Sequence, residues 1–129
     1  MVTEDYVSFE TAKLLKEKGF NEKTYRCYNL CTEEHELSDI DDMAFNNWEL
    51  DNDGVSAPTL QMAMKWLREV HNIIILLEVE RVKYGNVRYN WSIIDDNSDY
   101  SVTVRAKYPV YESACDAAIR YCLENLIWL

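Results

Sequence analysis

The spacing of hydrophobic positions along this 129-residue chain switches between the helical and the strand period, and each switch falls near a cap or a turn residue. Phe9, Ala12 and Leu15 share one helical face. Ser8 stands before them as an N-cap and Gly19 after them as a stop, which predicts a helix over 9–18. Residues 24–30 are rich in β-branched and aromatic side chains and read as a strand. Ser56, Ala57 and Pro58 then open a second helix over 58–71, because proline suits a first turn where no helical N–H partner is needed. Leu60, Met62, Ala63, Met64, Trp66, Leu67 and Val70 cover more than a stripe of that helix, which is therefore expected to be buried over most of its circumference.

The next three segments carry readable alternation. Over 73–84 the odd positions 73, 75, 77 and 79 are apolar, and Gly85-Asn86 predicts a two-residue hairpin turn with glycine accepting the positive φ. Val87, Tyr89, Trp91 and Ile93 alternate with Arg88, Asn90 and Ser92. Tyr100, Val102, Val104, Ala106 and Tyr108 alternate with Ser101, Thr103, Arg105 and Lys107. One apolar and one polar face describe an antiparallel meander covered by helices on one side. Pro109 separates it from a final helix over 111–126, packed through Tyr111, Ala114, Cys115, Ala118, Cys122 and Leu126. The order α-β-(acidic segment)-α-β-β-β-α predicts a single α+β domain, with a mainly antiparallel sheet and helices chiefly on one face.

Charge changes this picture at one place. The chain has 13 Lys+Arg against 23 Asp+Glu, a formal charge of −10. Nine of the acids lie within residues 31–54, which contain no Lys or Arg; the remainder carries only −1. Like charges at short range oppose tight packing of such a segment unless a cation or a basic partner neutralises it. Its Leu37, Ile40, Met43, Phe45, Trp48 and Leu50 predict an insertion docked by its aromatics, with a short strand near 44–50. Glycines occur only at 19, 54 and 85, so no Gly-rich phosphate cradle exists, and two histidines, His35 and His71, exclude an HExxH helix. Cys27, Cys31, Cys115 and Cys122 lack CxxC spacing and read as reduced and mostly buried. The amino-terminal residues do not read as a signal peptide, and the longest apolar run has five residues. A cytoplasmic location without membrane contact is expected.

The stretches SFETAKLLKEKGF, SAPTLQMAMKWLREVHNI and YESACDAAIRYCLENLI resemble three signature stretches of a family of small proteins, without an assigned activity, from gut Bacteroidetes and their phages and prophages. The resemblance covers roughly 6–19, 56–73 and 111–127. It implies a helical scaffold and a phage or mobile-element context, places the acidic segment where relatives vary, and brings no catalytic residues.

Several clusters invite chemistry. Glu49-Leu50-Asp51-Asn52-Asp53-Gly54 is similar to the front half of a calcium loop, in which alternate oxygens precede a turn glycine. Glu49 replaces the usual first Asp and Leu60 stands where a bidentate acid would close the sphere. The alternative to a metal site is a polar turn. Cys27, Cys31 and His35 form C-x3-C-x3-H without a fourth ligand nearby, more simply core cysteines beside an exposed histidine. His71 reads as a favourable charge at a helix C-terminus. Arg81, Lys83, Arg88, Arg105 and Lys107 are interleaved with Tyr84, Tyr89 and Trp91 in the meander, but five acids in the same region remove the electrostatic footprint that phosphate needs. No direct nucleic-acid contact, no cofactor and no catalysis are expected.

The leading functional expectation is an accessory protein that binds a basic host protein through its acidic surface. Glu33, Glu34, Glu36, Asp39, Asp41 and Asp42 would steer the approach, and Phe45 and Trp48 would anchor it. Its sharper form is nucleic-acid mimicry. The alternative is a small-molecule or Ca2+-binding module that uses Glu49, Asp51 and Asp53 or a pocket between helices and sheet. The plain counterpart to both is a solvated variable loop.

Overall fold

A computed structural model describes residues 1–39 and 44–128, Tyr84 by its backbone alone. Among the described residues, four helices and two three-stranded antiparallel sheets make an α+β fold. The chain divides into two compact units, one over Met1–Gln61 and one over Met62–Ile127, apart from the last two residues.

In the first unit, α1 (Phe9–Glu17) begins at Ser8, whose side chain accepts a hydrogen bond from the Thr11 N–H, and ends before Gly19 at φ 93. Ala12 and Leu15 are fully buried, and Val7, Phe20, Val55 and Ala57 of the same unit are buried as well. Strand β1 (Arg26–Asn29) is central in a small sheet, flanked by β2 (Leu37–Asp39) and β3 (Gly54–Ser56). Cys27 faces Ser38 on one side and Ser56 on the other. Both outer strands come from the acidic segment or its end, so this segment is part of the sheet rather than an appended loop. β3 also corrects the expectation that Ser56 opens a helix; α3 (Leu60–His71) starts two residues after Pro58. Between β2 and β3 the expected strand near 44–50 is instead an isolated bridge from Phe45 to Thr24 followed by a short helix, α2 (Asn47–Leu50). Asn46 explains the difference. Its side chain accepts from the Glu49 N–H while the Glu49 carboxylate accepts from the Asn46 N–H, a reciprocal cap that nucleates a helical turn.

In the second unit, β4 (Ile73–Arg81), β5 (Val87–Asp95) and β6 (Tyr100–Tyr108) form the expected meander, with β5 central. α4 (Tyr111–Asn125) covers one face of it, mainly over β5, through Ala114, Cys115, Ala118, Ile119, Cys122 and Leu123. Tyr89 meets Tyr111 and Trp91 meets Tyr121, on the covered face that the alternation predicts. Three details differ from expectation. The first connection is longer than two residues and contains a 3-10 turn over Lys83–Gly85, closed by Val82 N–H donating to the Asn86 carbonyl. α3 buries a stripe rather than most of its circumference: Ala63, Met64, Trp66 and Leu67 are buried, while Met62 and Val70 are exposed. The pairing of β5 with β6 slips by two residues, from Trp91↔Val104 to Tyr89↔Tyr108. A two-residue slip preserves parity, so Tyr108 returns to the covered side and the sequence alternation conceals the bulge. Lys107 sits in it at φ 56, its N–H accepted by the buried Asn90 side chain at 3.0 Å.

Candidate functional site

The acidic residues fall into two groups. Glu33, Glu34 and Glu36 lie on and after the turn that joins β1 to β2. All three are exposed, and none has an ion pair among the described residues. Of the others described, Asp39 and Glu49 have basic partners from the first unit, while Asp51 and Asp53 are engaged chiefly through their backbone carbonyls. Arg26 Nε donates to Asp39 at 2.7 Å across the β1–β2 pair, and Lys23 stands 4.0 Å from the Glu49 carboxylate. Asp41 and Asp42 lie outside the described residues.

The two aromatics of the segment also separate. Phe45 is half-buried, its backbone exchanging hydrogen bonds with Thr24 at 2.9 and 3.0 Å. Trp48 is 81% exposed, which corrects the expectation that both aromatics dock the segment. Its backbone is nevertheless fixed. The Trp48 N–H donates to Asn21 at 2.8 Å, and the adjacent Asn47 is buried, donating to the Phe20 carbonyl at 2.7 Å and accepting the Ser56 N–H at 2.8 Å. A large apolar ring therefore projects from a rigid base. Beside it an open cleft of about 330 Å3 is lined by Lys16, Phe20, Asn21, Asn47, Asp51 and Asn52, among others.

The calcium-like loop is organised around a side chain. Lys16, in the last turn of α1, donates to the carbonyls of Asp51 and of Gly54, the latter at 2.9 Å. Asp51 takes φ 50 and ψ −122 at the end of α2, a backbone conformation that favours glycine and is strained for aspartate, and its carbonyl meets that ammonium. Gly54 is needed for space: a Cβ there would stand 3.1 Å from the Tyr28 carbonyl of the neighbouring strand. Asp53 accepts the Leu30 N–H through its carbonyl at 3.0 Å, with the Cys31 thiol 3.7 Å from its carboxylate. Glu49 is turned back into its own helix cap. Glu49, Asp51 and Asp53 thus do not converge, and among the described residues no group of three or more His, Cys, Asp or Glu is arranged to hold a metal. Lys16 brings a positive charge to this turn, and nothing in its local sequence announces that role.

Cys27, Cys31 and His35 are likewise not gathered. His35 is half-buried rather than exposed, stacked on Phe9 with ring centres 4.2 Å apart and hydrogen-bonded to the Asn29 carbonyl, at φ 49. Cys31 is exposed, which corrects its assignment to the core; Cys115 and Cys122 are buried as expected. Burial pushes the Cys115 thiol up to about 11 and Cys122 to about 12, so both are protonated near neutral pH and poor nucleophiles. Burial also pushes the Cys27 thiol up. His71 packs edge-on against Trp66 at 4.7 Å and is lowered by burial, so a capping charge does not describe it. Three of the five bases named in the meander are engaged locally: Lys107 lies 4.0 Å from Glu80, while Arg81 and Arg88 donate to the Gly85 and Val87 carbonyls. No helix among the described residues is long and apolar enough to cross a membrane. Comparison with family models, with curated proteins and with solved structures returns no match to this chain.

Proposed function

We propose that this chain is a non-catalytic binding protein that docks a basic protein partner through Glu33, Glu34, Glu36 and Trp48. The observation that carries the reading is Trp48, exposed on a backbone held by Asn21 and Asn47. Exposing a tryptophan is costly in water, and rigid aromatics contribute most when a partner covers them, because little conformational freedom is lost. The unpaired glutamates supply long-range attraction, and Asp41 and Asp42 add to the charge of the same segment. A phage or mobile-element setting, with a host protein as partner, rests on the sequence resemblance. Mimicry of nucleic acid is the narrower form, in which the partner's basic surface is one that otherwise holds phosphates.

The test is comparative capture from host lysate by the wild-type chain, by Trp48→Ala, and by the triple variant Glu33→Gln, Glu34→Gln, Glu36→Gln. A specific partner should lose about tenfold or more in affinity with Trp48→Ala. The triple variant should flatten the salt dependence of association. Equal recovery by all three proteins refutes the reading. If added DNA displaces the partner, the mimicry form gains support; if it does not, that form fails while the docking surface stands.

A further inference from the structure

The two edges of the β4-β5-β6 sheet are built differently. Among the described residues β4 and β6 each pair with β5 alone, so each leaves a row of backbone N–H and C=O groups on its outer side. Such a row invites another strand, and proteins commonly blunt it with charged side chains, proline or a bulge. β6 is protected in this way: Arg105 and Lys107 are exposed on it, its register slips at that end, and Pro109 follows directly. β4 has no such protection over Ile73–Leu77, five consecutive aliphatic residues paired with β5 in unbroken register. Among the described residues no backbone group outside β5 bonds to that stretch.

The side chains point the same way. Ile75 and Leu77 pair with Ile93 and Trp91 on the face that α4 covers. Ile74 and Leu76 therefore belong to the opposite face, where Ile74 stands beside Ile94. All three are exposed. Exposed aliphatics scattered singly are ordinary, but here three adjoin one another and an unprotected edge.

We propose that β4 is the seam of a homodimer, in which two copies of this edge pair antiparallel about a two-fold axis at Ile75, perpendicular to the sheet, and join two three-stranded sheets into one of six. The occupant is a second copy because the edge is complementary to itself in that register. Ile74 faces the partner's Leu76 and Leu76 faces the partner's Ile74, so the two aliphatic patches merge across the seam. Ile73 faces the partner's Leu77. Glu78 falls opposite the partner's Asn72, which leaves Glu80 and Arg81 beyond the aliphatic pairing and buries no charge. Moving the axis toward the end of β4 would set Glu78 against Ile74 or Leu76 instead. The ends match in charge as well. The part of α3 that leads into β4 exposes Lys65 and Arg68 against one acid, Glu69, while the far half of β4 carries Glu78 and Glu80 against Arg81. Antiparallel pairing brings a net positive end beside a net negative one. Residues 62–127 hold nine acids and eight bases, so charge does not keep two copies of this unit apart.

The test is sedimentation velocity of the full chain from about 1 μM to about 1 mM, the range in which weak specific association is read. A monomer–dimer equilibrium without larger species is expected, because a two-fold seam closes on itself. Leu76→Lys, at an exposed position, should weaken the dimer about tenfold or more by setting an ammonium against the partner's Ile74. Ser101→Lys, on the edge of β6, should leave it unchanged. Amide exchange gives a readout without substitution: alternate amides of 73–77 should gain protection as concentration rises, while those of β6 should not. A chain that stays monomeric throughout overturns the proposal. So does a dimer that Ser101→Lys dissolves and Leu76→Lys does not, or growth past the dimer into an open series. Trp48→Ala should leave the equilibrium unmoved, so this seam and the Trp48 surface stand or fall separately.

Discussion

The β4-β5-β6 sheet uses nine residues per strand and lays the covered side against α4, whereas the β2-β1-β3 sheet manages with three or four per strand. The first is held by area: Ile73, Trp91 and Ile93 are buried beneath a helix that contributes six buried side chains. The second is held by polar side chains that reach backbone groups far away in sequence. Asn47 ties α2 to Phe20 and Ser56, Lys16 gathers the carbonyls of 51 and 54, and Tyr28 donates to the Val7 carbonyl at 2.6 Å. Hydrophobic burial tolerates approximate geometry because it is non-directional, while each hydrogen bond to a buried group depends on one atom being in one place. The two sheets should therefore fail differently when single residues are changed.

The largest effect belongs to the meander. Ile93→Ala empties a fully buried site at the centre of the sheet and should cost about 2–5 kcal/mol in a denaturant titration. A loss below about 1 kcal/mol would mean that α4 collapses onto the space, and that area is not what holds this sheet. Asn47→Leu keeps approximate volume but strands the Ser56 N–H and the Phe20 carbonyl. It should cost about 1–3 kcal/mol, with faster amide exchange at Ser56 and little change in β4, β5 and β6. Uniform loss of protection in both sheets would erase the contrast between them. Lys16→Met, smaller still because the ammonium is partly solvated, should cost about 1 kcal/mol. Added calcium should not restore it, since Glu49 and Asp53 face other partners; full restoration by calcium would reinstate the metal reading of the loop.

The smallest effect is a pH slope. Burial lowers His71 in the folded chain, so near and below its unfolded pKa of about 6.5 the unfolded state binds more protons. Its contribution to stability is present above that value and falls as the pH drops through it. His71→Phe should flatten this part of the profile. Cys115 and Cys122 act at the other end: both are raised, so stability falls from about pH 9 upward as the unfolded thiols ionise, and Cys122→Ala should reduce that decline.

The same contrast sets what the sequence discloses. Period-2 alternation in 87–95 and 100–108 and helical spacing in α1 and α4 report burial, and the structure places those elements within a residue or two of expectation. The bulge at Lys107 escapes because its two-residue slip leaves the alternation intact. β2 and β3 escape because three residues are too few for any period. α2 escapes because its cap is split between two patterns, Asn46 within a strand near 44–50 and Glu49 at the head of a calcium-like loop. At the candidate surface, charge density points equally to Glu33, Glu34, Glu36, Asp39, Asp41 and Asp42. It does not separate Asp39, which pairs with Arg26, from the exposed glutamates, and the exposure of Trp48 is not legible in its neighbours either. Asn21, Asn47 and Lys16 act through contacts 27 to 38 residues away, beyond the reach of local pattern.

Lys16 also bears on how the first unit responds to its surroundings. A dissolved ion binds a loop only in proportion to its concentration, whereas an ammonium tethered to α1 is supplied at the effective concentration set by its own chain. Order in the turn over 51–54 is therefore coupled to the integrity of α1, thirty-five residues earlier, rather than to the ionic composition of the medium. Fraying of the last turn of that helix would release the turn in the same event, making helix and loop a single cooperative element.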